Sequence, residues 1–352
     1  MAYAAFDPKK PLGPFTISRR EPGVHDVQID IKYCGVCHSD VHQARDEWGG
    51  SIFPMVPGHE IVGVVSKAGH AVKKYKVGDK VGVGCLVDSC RTCSSCKEGL
   101  EQYCENGSVP TYNGLEKDGK TPTFGGYSTH VIVHEDFVLK IPENLPLDAA
   151  APLLCAGITT YSPLKHWKAG PGKKVGVIGL GGLGHMAVKI GHALGAEITV
   201  FSHSERKRED AMRFGARNFV VTKNQNEMEA LTNTLDLIIN TVSVELDWNL
   251  YLGLLKRDSS MVILGVPSKA PEVSAFGLIA GRKSLAGSLI GGIAETQEML
   301  DFCGRNNIVS DIERMAIQDI NNAYERMVKG DVRYRFVIDI ESLKPKDSFS
   351  QN

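Results

Sequence analysis

Four cysteines lie close enough along the chain to hold a single ion. Cys90, Cys93, Cys96 and Cys104 fall within fifteen residues, as Cys-x-x-Cys-x-x-Cys with the fourth a short way on. Zinc at a structural site takes four such soft ligands in a closed tetrahedron. Gly99 and the polar residues between the cysteines suit a loop wrapped around an ion. Disulfide pairing, an iron–sulfur cluster of overlapping spacing and a set of unligated thiols are the competing readings. With Cys85, five of the nine cysteines crowd this stretch. In a reducing compartment such crowding points to metal ligation before disulfides.

A second set is dispersed: Cys37 in Cys37-His38-Ser39-Asp40, His59 in Gly58-His59-Glu60, and Cys155 in Leu154-Cys155-Ala156-Gly157. Two thiols and an imidazole are a suitable ligand set for a catalytic zinc, which keeps a fourth position open. Spacing does not join residues this far apart. His59 serves equally well as a hydrogen-bonded core histidine, Cys155 as a small buried hydrophobe, and Asp40 and Glu60 as solvated turn carboxylates.

The third candidate is Gly179-Leu180-Gly181-Gly182-Leu183-Gly184, a G-x-G-x-x-G run. Alone it is a weak signal, and a plain tight turn is its alternative. Here it follows the apolar run Lys174–Ile178 and opens a segment with Leu183, Ala187, Ile190 and Leu194 at helical spacing, which is the context a dinucleotide turn needs. Its glycines let the backbone approach a pyrophosphate at a helix N-terminus. The next apolar run ends in Phe201-Ser202-His203-Ser204-Glu205-Arg206-Lys207-Arg208. An NAD site usually places an acid there for the ribose hydroxyls, whereas a 2′-phosphate needs donors and positive charge. Two serines and three cations therefore favour NADP(H). Glu205 runs against this, and the cations also suit a solvated helix face.

Three kinds of element must position these groups. Residues 1 to about 150 read as a β-rich module, with alternation in Gln28–Tyr33 and apolar runs at Ile61–Val65 and Lys80–Val83. After Pro171-Gly172, strands and helices alternate: Lys174–Ile178, Ile198–Phe201, a helix over Glu205–Phe214, then Leu237–Ile239 and Met261–Leu264. That order predicts a doubly wound parallel sheet. The tail from about Ala294 predicts a helix ending at Asp301-Phe302-Cys303 and a last strand, Arg335–Ile338. The expected division is 1–154 with 294–352 as the catalytic domain and 155–293 as the nucleotide domain. The net charge of −1 gives no general pull toward nucleic acid or membrane, and no apolar run is long enough to span one. No signal peptide is evident, so the cytoplasm is the expected location.

These motifs, in this order, resemble the zinc-dependent medium-chain alcohol dehydrogenases. Cys37-His38-Ser39-Asp40-x-His42, Pro54–Glu60, the four-cysteine loop, Ala151–Gly157 and Lys329–Phe336 look like the cinnamyl alcohol dehydrogenase branch. The resemblance covers nearly the whole chain. It implies an α/β fold, with a Rossmann doubly wound parallel sheet beside a β-rich GroES-like catalytic domain. It implies a catalytic zinc on Cys37, His59 and Cys155, a structural zinc on the four-cysteine loop, a transient ligand in Glu60, and Asp40 orienting His59. It implies a proton relay from Ser39 through the cofactor ribose to His42, which on its residue type alone is as well read as a surface histidine.

For NADP(H), the resemblance implies His38 and Arg335 near the pyrophosphate, with further contacts from Thr159 and Thr241. Ser202, Ser204 and Lys207 match the 2′-phosphate positions, and His203 stands where NAD-specific members carry Asp. Trp48, Leu86, Pro110, Leu289 and Ile290 are the substrate-pocket candidates, with core packing as the alternative for each. Plant lignin-pathway members place a tryptophan just after the four-cysteine loop. Ser108-Val109-Pro110-Thr111-Tyr112 has none, so the expected substrates are aromatic and medium aliphatic aldehydes generally. A homodimer through Ser284–Ile290 is also implied. The alternatives are an NAD-dependent polyol dehydrogenase of the same superfamily and a non-catalytic zinc-stabilised binding protein.

Overall fold

The strand Asp26–Val36 explains how Cys37, of the dispersed zinc set, is placed. Val27, Ile29 and Ile31 are buried while Asp30 and Lys32 are exposed, the period of a half-buried strand. The alternation stops at Cys34, and Cys34, Gly35 and Val36 are buried in succession as the chain runs into Cys37. This strand pairs with Ile61–Ala68 along one side. Along the other it pairs with His130–His134 near its start and Arg335–Asp339 near its end. The seven-stranded sheet is completed by Lys80–Val83 and Leu139–Lys140 beyond Ile61–Ala68, and by Ile312–Ala316 beyond Arg335–Asp339. Only that last pair is parallel.

This computed structural model describes residues 1–343 apart from 268, so 344–352 of the expected tail lie outside the described residues. The chain divides into two compact units, Met1–Cys155 with the chain from Gly292 onward, and Ala156–Gly291.

The second unit is built on six strands, all parallel, in the spatial order Asn218–Val221, Glu197–Ser202, Lys174–Ile178, Leu235–Asn240, Leu255–Ile263, Ser284–Gly287. In sequence rank this is 3-2-1-4-5-6, the doubly wound order, whose direction reverses beside Lys174–Ile178. Phe201, Ile238, Trp248, Leu252 and Met261 pack one core against the sheet. No helix among the described residues is long and apolar enough to cross a membrane.

Three expected elements differ in extent. Glu205–Phe214 is a 3-10 turn, Glu205–Lys207, followed by the α-helix Arg208–Arg213, with Lys207 leaving helical geometry between them (φ −114°, ψ 10°). The tail helix is Ile293–Asn306, running past Cys303 until Asn307 adopts the left-handed conformation that ends it (φ 52°). Ser284–Ile290 is a strand only over Ser284–Gly287, and Ile290 turns the chain at φ 35°.

Candidate metal centres and nucleotide turn

The helix His38–Ala44 begins at Cys37, and the aspartate three residues on fixes that start. Asp40 Oδ2 accepts from the Cys37 N–H at 2.8 Å, placing a carboxylate where helix N–H groups are unpaired. Its Oδ1 accepts from the Gly58 N–H at 3.1 Å and lies 3.4 Å from His59 Nδ1. One fully buried carboxylate therefore ties the Cys37 segment to the His59 segment. Gly58 has φ 104°, and a Cβ there would lie 2.8 Å from the Tyr127 ring and 2.9 Å from the Gly126 nitrogen. Only glycine meets both demands.

Cys155 follows the short 3-10 turn Ala151–Leu154 and completes the group. Ligand atoms of Cys37, His59, Glu60 and Cys155 all lie within 4.8 Å of one another. The Cys37 and Cys155 sulfurs are 3.9 Å apart. Metal–sulfur bonds of about 2.3 Å in a tetrahedron put sulfurs about 3.8 Å apart, so the donor set fits one zinc ion. The Cys37 thiol is drawn well below its ordinary range, chiefly by the hydrogen bond from Cys155, against the opposing effect of burial. Burial also opposes charge on His59, but the neighbouring Cys85 and Asp40 raise its pKa. Glu60 is fully buried; Arg335 ion-pairs with its Oε1, while Oε2 has no hydrogen-bond partner among the described residues.

The four-cysteine loop closes on itself in the same way. Its sulfurs lie within 4.8 Å of one another, with Cys90–Cys96 at 3.9 Å and Cys93–Cys104 at 4.0 Å. All nine cysteines are free thiols, so the disulfide reading does not hold in this structure. Backbone N–H groups point at the sulfurs: Thr92 and Cys93 donate to Cys90, and Cys90 donates to Cys104. Asn106 and those two donors bring the Cys90 thiol down to about 5, while burial pushes the neighbouring Cys96 thiol up to about 12.

In the second unit, the glycine run caps Lys174–Ile178 and leads into the helix Gly184–Ala193. Gly179 takes φ 86°. A Cβ on Gly184 would run into the Gly179 carbonyl and lie 3.1 Å from Thr241 Oγ1, so helix and turn can approach only through glycine. A Cβ on Gly181 would meet nothing within 4 Å, leaving open space of the kind a pyrophosphate needs. Thr241, at the end of the neighbouring strand, donates to the Ile178 carbonyl at 2.7 Å. Gly182 and Leu183 are half-buried in the same turn. Thr159 Oγ1 is buried with no partner among the described residues.

Beyond the next strand, Ser202 Oγ donates to the Ser204 carbonyl at 3.1 Å, and Lys207 Nζ reaches back to the Leu180 carbonyl at 2.8 Å. Lys207 thus lies beside the glycine run. His203 is exposed. Glu205, the residue that argued against a phosphate, is held by Arg208 through two hydrogen bonds.

Residues 23–143 match the alcohol dehydrogenase GroES-like domain family, and 182–305 match the zinc-binding dehydrogenase family. NADP-dependent alcohol dehydrogenase C 1 of Mycolicibacterium smegmatis is 58% identical over 97% of this chain and 98% of its own. The chain belongs to the zinc-binding alcohol dehydrogenases. Aldehyde reductase YahK of Escherichia coli is 55% identical over 97% and 98% of the two chains. A cinnamyl alcohol dehydrogenase from Sorghum bicolor (SbCAD4) superposes with a TM-score of 0.95 at 47% identity, covering 99% of both chains.

The remaining residues singled out from the sequence fall as follows. Ser39 is half-buried on the helix that begins at Cys37, and His38 is exposed with its ring 6.3 Å from that of His42. His42 Nδ1 faces Glu47 Oε2 at 2.5 Å. Trp48 is 47% exposed and stacks on His42 at 4.8 Å. Leu86 and Pro110 are paired across a small two-stranded sheet. Leu289 is 54% exposed and Ile290 is half-buried, both just after the edge strand. Arg335, matched to a pyrophosphate contact, is buried with Glu60 as its partner.

Two features had no signal in the sequence reading. Cys85 belongs to neither thiol set by spacing, yet its thiol borders Cys155 and His59. Tyr112 lies flat against the His59 ring, with centroids 5.7 Å apart and planes 13° apart. Both depend on chain segments meeting in space, although an aromatic two residues beyond Pro110 was visible as a residue type.

Proposed function

We propose that this chain is an NADP(H)-dependent zinc alcohol dehydrogenase that interconverts alcohols with aromatic (cinnamyl-type) and medium aliphatic aldehydes. The observation that carries the reading is the buried Cys37–His59–Cys155 triad, with a Glu60 carboxylate oxygen within 4.8 Å of its ligand atoms. Three protein ligands leave a position for substrate, whereas the four thiolates of Cys90, Cys93, Cys96 and Cys104 close a structural site. When bound, zinc supplies Lewis-acid polarisation of the substrate oxygen and the dinucleotide supplies the hydride.

The chain's own groups do the rest. Asp40, 3.4 Å from His59 Nδ1, favours the tautomer that carries its proton there and leaves the other ring nitrogen to the metal. Glu60, ion-paired with Arg335 through Oε1, would supply a carboxylate as a transient ligand to the zinc. Ser39 donates and accepts in one hydroxyl and passes the proton on. His42 has Nδ1 engaged by Glu47, so the proton leaves at Nε2 toward solvent. Gly179–Gly184, Thr241 and the hydroxyl of Thr159 hold the dinucleotide, with His38 and Arg335 serving its pyrophosphate. Ser202, His203, Ser204 and Lys207 hold the 2′-phosphate. Leu86, Pro110, Trp48, Leu289 and Ile290 shape the substrate pocket.

The edge strand Ser284–Gly287, with Phe276 and Ile279 exposed nearby in sequence, is the proposed homodimer contact. Free thiols throughout suit a reducing compartment, and the cytoplasm is the proposed location. NADPH consumption across an aldehyde panel, run with zinc quantitation, tests the reading. Two zinc ions per chain and a preference for NADPH over NADH are expected. Sorbitol oxidation with NAD in preference to these substrates would overturn it in favour of a polyol dehydrogenase.

A further inference from the structure

A metal-binding imidazole must present one nitrogen to the ion in a fixed plane. The contact between His59 Nδ1 and Asp40 Oδ1, at 3.4 Å, is a single point of contact, and one point does not define the plane of a ring. Two tyrosines supply what is missing. The Tyr112 ring lies nearly parallel to the imidazole, in offset-stacked geometry, and its hydroxyl faces Asp40. Tyr112 is itself anchored by its neighbour: Thr111 donates from its N–H to the Cys85 carbonyl at 3.0 Å and from its hydroxyl to the Gly84 carbonyl at 2.5 Å. Tyr127 is fully buried, packs its ring against Gly58, and donates its hydroxyl to Asp40 Oδ2 at 3.4 Å. Tyr324, on the helix Ile320–Val328, donates to the Tyr127 hydroxyl at 3.4 Å.

We propose that Tyr112 and Tyr127 are positioning residues for His59. Tyr112 fixes the plane of the imidazole, and Tyr127 fixes the carboxylate that accepts its Nδ1 proton. Apolar packing would be served as well by phenylalanine, because a buried hydroxyl costs free energy unless it is satisfied. The Tyr127 hydroxyl reaches the same carboxylate that already accepts from the Cys37 and Gly58 N–H groups. Asp40 is thereby held in a single orientation from three chain segments, and His59 inherits that orientation.

The proposal rests on the reading of Cys37, His59 and Cys155 as a zinc site, and its test separates the two. Zinc release from the holoenzyme to a chromogenic chelator is followed for wild type, Tyr112→Leu, Tyr112→Phe and Tyr127→Phe, together with the visible spectrum after cobalt replaces the catalytic zinc. Tyr112→Leu removes the stack and should release one zinc about 10-fold faster, with the second released at the wild-type rate and the cobalt band shifted. Tyr112→Phe keeps the ring and should return release close to wild type. Tyr127→Phe removes only a hydroxyl and should speed release of that same zinc about threefold to tenfold. An unchanged cobalt spectrum and release rate in both Tyr112→Leu and Tyr127→Phe overturns the proposal. So does a Tyr112→Phe protein as leaky as Tyr112→Leu. If Tyr112→Leu does not fold, Tyr127→Phe decides alone. Wild-type protein that holds only one zinc per chain would instead refute the catalytic zinc site itself.

Discussion

Substituting Gly181 with alanine separates what glycine does for the fold from what it does for the dinucleotide. The residue lies outside the left-handed region, and an added Cβ meets no protein atom within 4 Å. Alanine is therefore accommodated without strain, and the smaller entropy of the unfolded chain should stabilise the protein by about 0.4–1 kcal/mol. The same methyl stands in the space assigned to the pyrophosphate. NADPH affinity should fall at least 10-fold, or about 1.4 kcal/mol. Gly184→Ala is the contrasting case. Its Cβ would lie 2.9 Å from the Gly179 carbonyl carbon and 3.1 Å from Thr241 Oγ1. Backbone cannot swing aside as a flexible side chain does, so stability should drop by about 1–3 kcal/mol. Urea denaturation gives the first quantity and NADPH fluorescence titration the second. The two observables should move in opposite directions for Gly181→Ala. Wild-type NADPH affinity in that variant would refute the placement of the pyrophosphate at this turn.

Three further outcomes are expected. Cys155→Ser should lower zinc from two ions per chain to one and abolish turnover while NADPH still binds; full activity would remove Cys155 from the metal site. Lys207→Ala should cut kcat/KM with NADPH about 10- to 100-fold, the worth of a charge-assisted hydrogen bond, and leave the NADH value nearly unchanged. Equal losses with both cofactors would assign Lys207 to the turn, where it holds the Leu180 carbonyl, instead of to the 2′-phosphate. Asp236 accepts from the Lys174 N–H and the Lys256 ammonium, both at 2.9 Å, and these hold its carboxyl below the ordinary value although burial works against them. A carboxyl whose folded pKa lies below its unfolded pKa stabilises the fold above the unfolded value, and that contribution is lost as pH falls through the folded one. Asp236→Asn should lower Tm at neutral pH and flatten its acid decline, as read by thermal denaturation across the acid range. An Asn variant with the wild-type pH profile would show that this carboxylate contributes nothing there.

The zinc-loop cysteines show how far spacing carries. Cys90, Cys93, Cys96 and Cys104 must lie near one another because so few residues separate them. The glycine run is similar: Gly179 to Gly184 follow one strand and open one helix, and local chain geometry is enough to define that turn. The alternation of strands and helices after residue 171 likewise carries the parallel sheet, because each βαβ step has one preferred hand. Element ends were less legible. Lys207 interrupts the expected helix, and Ile290 turns the chain out of the expected edge strand.

The sequence by itself therefore determined the chemistry available, namely two thiol sets, a dinucleotide turn and a cation-rich strand end, each written in contiguous residues or in an order that resembles one family. Tertiary structure alone brought Cys37, His59 and Cys155 to a common point, since no local rule relates residues at the end of one strand, before another, and after a distant 3-10 turn. It also decided the partners that no motif announces: Arg335 on Glu60, Cys85 beside Cys155, and Tyr112 flat on His59. Those contacts join segments far apart in sequence, and packing of that kind is a property of the folded chain as a whole.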